Sequence, residues 1–251
     1  MNAESFQELA QKINRSTAPV HVGIIMDGNR RWAEKNNLKA IYGHKKGYQR
    51  LRELVDVCND FNIKYLTVYA FSSENLKKRS EIEKKFLFEL LNNSIQEVID
   101  DAQIMEKGVR VNFFGRWTLL PEHLQEKIRH LIKKTENNTG FFMNLCLVYD
   151  GQDEIVDAVK SIVKDVVEGR KTIDDIDRDF IKSNLYTKNI PAPDMIIRTG
   201  MKDEKRLSGF LLWDSSYSEF FFTEVLWPDF DTAEFAKAIL NFQQRKRRYG
   251  K

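Results

Sequence analysis

The chain has 251 residues, 42% hydrophobic and 31% charged, with a formal net charge of +3 at pH 7. That length and apolar content support one sizeable core and exclude a disordered chain. The charge is too small to imply nucleic acid, no apolar run is as long as a membrane span, and the first residues lack a signal-peptide core. The two cysteines, Cys58 and Cys146, lie in apolar surroundings and read as core residues of a reduced, cytoplasmic protein.

In chain order, residues 1–14 suggest a short amphipathic helix, within an N-terminal extension over 1–19 that precedes a single domain over 20–251. The first strong signal is His21-Val22-Gly23-Ile24-Ile25-Met26-Asp27-Gly28-Asn29-Arg30-Arg31-Trp32. Val22–Met26 reads as a buried strand, short and bounded by a turn. Asp27 then falls at the strand's carboxyl end, where open α/β sheets bind ligands. Gly28 allows close backbone approach, and the N–H groups of a following helix with two guanidiniums suit a phosphate. A carboxylate beside a phosphate site suggests a bridging divalent metal.

A helix over 44–60 leads to a strand over 65–71, which ends in Ser72, Ser73, Glu74 and Asn75. The helical stretch 80–106 carries Phe86, Leu87, Phe88, Leu90, Leu91, Ile95, Val98 and Ile99, an apolar face wider than one stripe. A strand over 109–115, a helix over 121–138, a turn at 137–140 and a strand over 141–149 follow. After a helix over 152–168, Pro191-Ala192-Pro193 stiffens the entry to a strand over 194–199 ending in Arg198-Thr199-Gly200. Arg206, Leu207 and Ser208 come after a charged loop, then a strand over 219–223 opening with Glu219 and a helix over 231–248. Arg245-Lys246-Arg247-Arg248 is a basic cluster suited either to a helix end or to contact with an anionic membrane surface. This alternation predicts a single α/β domain built on a mainly parallel six-stranded sheet flanked by helices.

Nucleotide-binding glycine loops and zinc-spaced Cys/His clusters are missing, so ATP, dinucleotides and zinc are poor candidates. Three strands ending in phosphate-type or acid–amide groups exceed ordinary strand-end polarity. The segments 21–32, Gly43-His44-Lys45-Lys46-Gly47, 69–75, 194–200, 206–213 and 217–230 together resemble the cis-prenyltransferase, or undecaprenyl diphosphate synthase, family. The resemblance runs from about residue 20 to the C-terminal Arg247-Arg248-Tyr249-Gly250. The acidic run 174–179 is similar to the aspartate-rich motifs of the all-helical trans-prenyltransferases, which need two such motifs, and here reads as the opening of a solvated helix.

The resemblance implies condensation of isopentenyl diphosphate with an allylic diphosphate of farnesyl or geranyl type, Mg2+ as cofactor, an apolar tunnel between sheet and helices, and a homodimer with transient membrane contact. It assigns the allylic diphosphate to Gly28, Asn29, Arg30, Arg31, His44 and Ser73, with Trp32, Ser72, Glu74 and Lys78 beside them. Arg198, Arg206, Leu207 and Ser208 take isopentenyl diphosphate, Asp27 and Glu219 the metal, and Asn75 the departing proton. An amide is a feeble base, so a relay through solvent or diphosphate is equally open. Several positions depart from the family's pattern: Ala40 for arginine, Asn75-Leu76-Lys77-Lys78-Arg79 for Asn-Trp-x-Arg-Pro, a longer 200–205 loop, and Val148-Tyr149-Asp150-Gly151-Gln152 for Asn-Tyr-Gly-Gly-Arg. Phe141, where the family more often has leucine, suggests a raised tunnel floor and a product shorter than C55, while Ala70 leaves the upper tunnel open. The alternative is a non-catalytic family member acting as a binding or regulatory subunit, against which the acid, amide and arginine set speaks.

Overall fold

Six strands run parallel in one sheet, in the order β3-β4-β2-β1-β5-β6. The computed structural model describes residues 4–245. In chain order the elements are α1 (Phe6–Lys12), β1 (His21–Ile25), α2 (Asn29–Lys35), α3 (Ala40–Asp60), β2 (Tyr65–Ser72), α4 (Ser73–Lys78), α5 (Glu81–Asp100), α6 (Ala102–Glu106), β3 (Val109–Phe114), α7 (Glu122–Thr135), β4 (Phe141–Tyr149), α8 (Gly151–Val167), α9 (Arg178–Asn184), β5 (Met195–Arg198), β6 (Glu219–Phe222) and α10 (Thr232–Gln244).

Alternating side chains divide the core. Val22, Ile24, Leu66, Val68, Met143 and Ile197 face the layer of α3, α5, α7 and α10. Ile25, Cys146 and Ile196 face the opposite layer, with Phe210, Leu211 and Tyr149. The first layer is apolar. The second carries buried polar ties: the Tyr149 hydroxyl donates to Glu154 (2.5 Å), Thr187 to Asp214 (2.6 Å), and Lys182 to Asp214 (2.7 Å). Burial raises the Glu154 carboxyl above its ordinary range.

The six strands and the longer helices follow the sequence expectation, with two differences. The single helix expected over 80–106 breaks at Asp101, whose extended backbone and side chain cap α6 through the Gln103 N–H. The short α2 is the helix expected after Gly28, and α4 lies where no apolar period announces a helix, capped by the Ser72 side chain through the Asn75 N–H. The second starts α3 at Ala40 rather than at 44, with two glycines inside it. A Cβ on Gly43 would lie 2.0 Å from the Asn29 carbonyl, and one on Gly47 2.8 Å from the Trp227 ring. Glycine at these sites lets α3 lie flush against α2 and the 227–230 segment.

Candidate active site

β1 is the switch point of the sheet: the chain leaves it toward β2 on one side and returns to β5 on the other. A crevice forms at the carboxyl ends of two strands whose connections diverge in this way. Asp27 follows β1 and Arg198 ends β5, so both stand on that crevice. One Asp27 oxygen accepts from Arg198 at 3.0 Å and the other from Arg31 at 2.9 Å. The Asp27 carbonyl is tied to the Thr199 hydroxyl (2.7 Å) and the Trp227 N–H (3.0 Å), which fixes the turn. Gly28 has φ +114°, and a Cβ there would meet Leu226 at 2.9 Å, so the turn into α2 needs glycine.

The charged 200–205 loop folds back on this rim. Arg198 donates from one nitrogen to the Arg206 carbonyl (2.6 Å) and to the Ser208 hydroxyl (2.9 Å). Its buried Nε has no protein partner. Ser208 sits in left-handed backbone, φ +49°, a conformation held only when its surroundings over-determine it. Tyr69, stacked on Phe210 at 5.1 Å, supplies that restraint by presenting its hydroxyl to the Ser208 carbonyl (3.3 Å) and the Tyr149 carbonyl (3.0 Å).

These groups wall a polar chamber of about 330 Å3, to which Asn29, His44, Ser72, Glu74, Asn75 and Arg206 also contribute. Two further residues stand there that the sequence reading missed. Arg79 lines the chamber, bonded to Glu83 and directed at His44 Nε2 (3.3 Å), with a buried Nε that has no protein partner. Its signal was the basic run 77–79, in which the resemblance pointed to the neighbouring lysine. Asp150 lines the opposite wall and caps α8 through the Gln152 N–H (2.8 Å). It ends a strand in an acid as Asp27 does, and the same argument would have found it. His44 has its pKa lowered to about 4, first by burial and then by the Arg79 charge, so it is a neutral imidazole near pH 7.

Five expected site residues point elsewhere. Trp32 donates to Asp229 (2.7 Å) and so ties α2 to the 227–230 segment. Ser73 turns from the chamber to the Asp153 carboxylate (2.9 Å) because it opens α4 one step past the strand end, leaving Ser72 facing inward. Lys78 is exposed and pairs with Glu74 across one helical turn. Leu207 packs against the second core cluster. Glu219 opens β6, paired in register with Met195 at the amino end of β5, and bonds Arg245 at 2.7 Å. Within one chain it therefore lies at the other end of the sheet from Asp27. Gly28, Arg30 and Arg31 flank the chamber at the start of α2, Arg31 through its bond to Asp27.

The chamber continues into an apolar cavity of about 150 Å3, with which it shares Met26, Asn29, His44, Ala70, Phe71 and Leu87. Beyond that lies a third cavity of about 400 Å3 between α3, α5 and the sheet. Leu87, Phe88, Leu90, Leu91, Ile95 and Val98 of α5 line the two, so the wide apolar face of that helix bounds hollow space. Phe141 lines neither. It is buried on the face that carries Met143 and Leu145, and pairs with Val109, which does line the lower cavity.

A family-level sequence profile described as "Putative undecaprenyl diphosphate synthase" matches residues 25–250. A tritrans,polycis-undecaprenyl-diphosphate synthase (geranylgeranyl-diphosphate specific) of Pyrococcus furiosus is 44% identical over 243 residues, covering 97% of this chain and 91% of the relative. The enzyme of the same name from Methanocaldococcus jannaschii is 42% identical, covering 97% and 86%. Among solved structures, lavandulyl diphosphate synthase from Lavandula x intermedia in complex with dimethylallyl diphosphate superposes with a TM-score of 0.87 at 31% identity, covering 94% of this chain and 100% of that one. A probable undecaprenyl diphosphate synthase from Campylobacter jejuni gives 0.75 at 32% identity, covering 93% and 99%. With its acid–arginine crevice opening onto apolar cavities, the chain belongs to the undecaprenyl diphosphate synthase family, the cis-prenyltransferases, and is a transferase of prenyl groups.

Proposed function

We propose that the protein condenses isopentenyl diphosphate with an allylic diphosphate of geranylgeranyl type and releases a Z-polyprenyl diphosphate of medium length. The observation that carries this is the direct opening of the polar chamber onto the apolar cavities, through walls they share. A charged head and a growing greasy tail need those two environments side by side. The primer follows the names of the relatives, which favour a longer allylic chain than the farnesyl or geranyl type expected from the sequence.

In this reading Arg198, Arg206 and Ser208 hold isopentenyl diphosphate, and their convergence aims its alkene across the chamber. Gly28, Asn29, Arg30, Arg31, His44 and Arg79 face the allylic diphosphate, where fixed cationic and N–H donors meet the charge that develops as the C–O bond weakens. The neutral His44 is suited to hydrogen bonding there rather than to charge compensation. Asn75 orients its end of the chamber, and the leaving diphosphate oxygens are the stronger base for the proton lost from the new chain.

Asp27 fits Mg2+. It offers hard oxygens at the chamber with its side chain one-third exposed, and Mg2+ is commonly held by one or two carboxylates together with substrate phosphates and water. The ion supplies charge neutralisation of the leaving diphosphate. Glu219 of the same chain is out of reach of that position.

A homodimer is part of the proposal. Val156, Val159 and Val163 form an exposed row on α8, and Tyr217 is 81% exposed beside the edge strand β6, whose Phe220 and Phe222 stack at 6.2 Å. Exposed apolar area and an edge strand each suit contact with a second copy. The proposed membrane contact rests on the basic tail, which beyond Arg245 lies outside the described residues. Incubating purified protein with labelled isopentenyl diphosphate, Mg2+ and geranyl, farnesyl or geranylgeranyl diphosphate tests the reading. Label in butanol-extractable lipid is expected, most of it with the geranylgeranyl primer, and lost with chelator. No incorporation with any primer would overturn it.

A further inference from the structure

The two apolar cavities meet at a ring of five side chains from three elements: Tyr48 and Leu51 of α3, Leu91 and Ser94 of α5, and Leu145 of β4. Above this ring lies the smaller cavity, which joins the polar chamber. Below it the space is more than twice as large, about 400 Å3 against 150 Å3. Tyr48 is the largest of the five, and the Ser94 hydroxyl beside it is turned to the Leu90 carbonyl (2.7 Å). The Tyr48 hydroxyl donates to Glu97 of α5 at 2.8 Å, and Glu97 is held in turn by Arg52 at 3.2 Å, one turn along α3 from Tyr48. Burial, followed by the bond to Glu97, pushes the Tyr48 hydroxyl up to about 12, so it stays a donor across the working pH range. The ring is thus fixed at both ends, by its own helix and by the opposite one.

The rim of the lower cavity is polar. Arg52 and Asp56 of α3 face Glu97 of α5 and Lys107, and Asp56 lies 3.5 Å from the Lys107 ammonium. An apolar chain driven downward meets charged groups at that rim, which it cannot solvate. Its apolar path therefore passes Tyr48, where the two cavities share walls, and ends at the rim.

We propose that Tyr48 is a specificity-determining residue for product length, the tie to Glu97 holding its ring across the path of the growing polyprenyl chain. Chains that end above the ring fit without disturbing it. Longer ones displace the ring into the lower cavity and break the hydroxyl–Glu97 bond, so elongation slows there. The bulk of the side chain sets where the step falls, and the tie sets how sharp it is. This rests on the condensation reaction proposed above.

The test is the product distribution by chromatography, with geranylgeranyl diphosphate as primer, for wild type, Tyr48→Ala, Tyr48→Trp, Tyr48→Phe and Glu97→Gln. Tyr48→Ala is expected to lengthen the main product by one or more prenyl units, and Tyr48→Trp to shorten it. Tyr48→Phe, which removes the donor, is expected to broaden the distribution, and Glu97→Gln, whose amide oxygen still accepts from Tyr48, to broaden it less. The KM for isopentenyl diphosphate should change by less than twofold in all four, since the ring lies away from the polar chamber. An active Tyr48→Ala enzyme with the wild-type distribution would overturn the inference and leave the reaction standing. Should Tyr48→Ala fail to fold, unchanged distributions in the active Tyr48→Trp and Tyr48→Phe enzymes overturn it equally. A wild type that incorporates no label with any primer refutes the reaction instead.

Discussion

The two faces of the sheet are built on opposite plans. Under α3 and α5 the strands present aliphatic side chains to partly empty space, and α5 leaves only Ile95 fully buried among its twenty residues. On the other face Tyr149, Phe210 and Leu211 are almost wholly buried, and the Glu154, Thr187, Asp214 and Lys182 groups are bonded to one another. The hollow side suits an occupant whose length changes with every turnover. The solid side fixes the loop that carries Arg206 and Ser208, through Tyr69 and Phe210. One side of a sheet can thus be left loose because the other is tied.

That contrast is open to attack by mutation. Phe210→Ala removes a fully buried ring from the solid face and should cost ~3–5 kcal/mol in unfolding free energy. Leu91→Ala, on a wall that already borders a cavity, should cost less than about 2 kcal/mol, because it adds little new void to what is there. Denaturant melts of the two variants decide the matter, and equal losses would erase the distinction.

Asp27→Ala acts where the faces meet. Turnover should fall by a factor of about 10²–10³, the usual worth of one preorganised charge contact, with the melting temperature within a few degrees of wild type. A smaller loss in initial rate would remove Asp27 from the metal position. Arg206→Ala belongs to the solid side's loop. It should raise the KM for isopentenyl diphosphate about tenfold, or ~1.4 kcal/mol, while the allylic KM moves much less. Equal effects on both constants would show that the two diphosphate positions are assigned wrongly.

The mildest test is pH. His21 on the solid face and His44 beside the hollow one both have pKa values lowered to about 4, chiefly by burial. Unfolding frees each to bind a proton below its ordinary value near 6.5. Their contribution to stability is therefore complete above about pH 6.5 and is lost as pH falls toward about 4, at up to ~1.4 kcal/mol per pH unit for each ring. Melts across that range should show the decline, and His44→Gln should make it shallower by one proton's worth.

Strand-end chemistry was legible in the sequence because it is local. An apolar run that stops at Asp27 or Arg198 shows its polar tip on the page, and the parallel sheet then aligns those tips. Orientation was not legible. Ser72 and Ser73 are adjacent and identical, and only the start of α4 decides which faces the chamber. Lys78 and Arg79 are likewise neighbours, and the cap residue Arg79 points inward while Lys78 stays on the outer side of its turn. Glu219 was placed by motif alone, and its register against Met195 puts it at the wrong end of the strand for Asp27. The cavities were least visible, since a wide apolar helix face reads the same whether it meets side chains or a void.

The glycines at 43 and 47 have a further consequence. With no side chains to separate them, α3 lies against the Asn29 backbone at Gly43 and the Trp227 ring at Gly47, and sliding would drive it into one or the other. α5 has no such lock, and its far end turns at the Asp101 cap. A change in the volume between the helices is therefore expected to move α5 before α3. Its amide protons should exchange with solvent well ahead of those in α3, since local opening follows the least buried element, and a long prenyl chain bound beneath it should slow them.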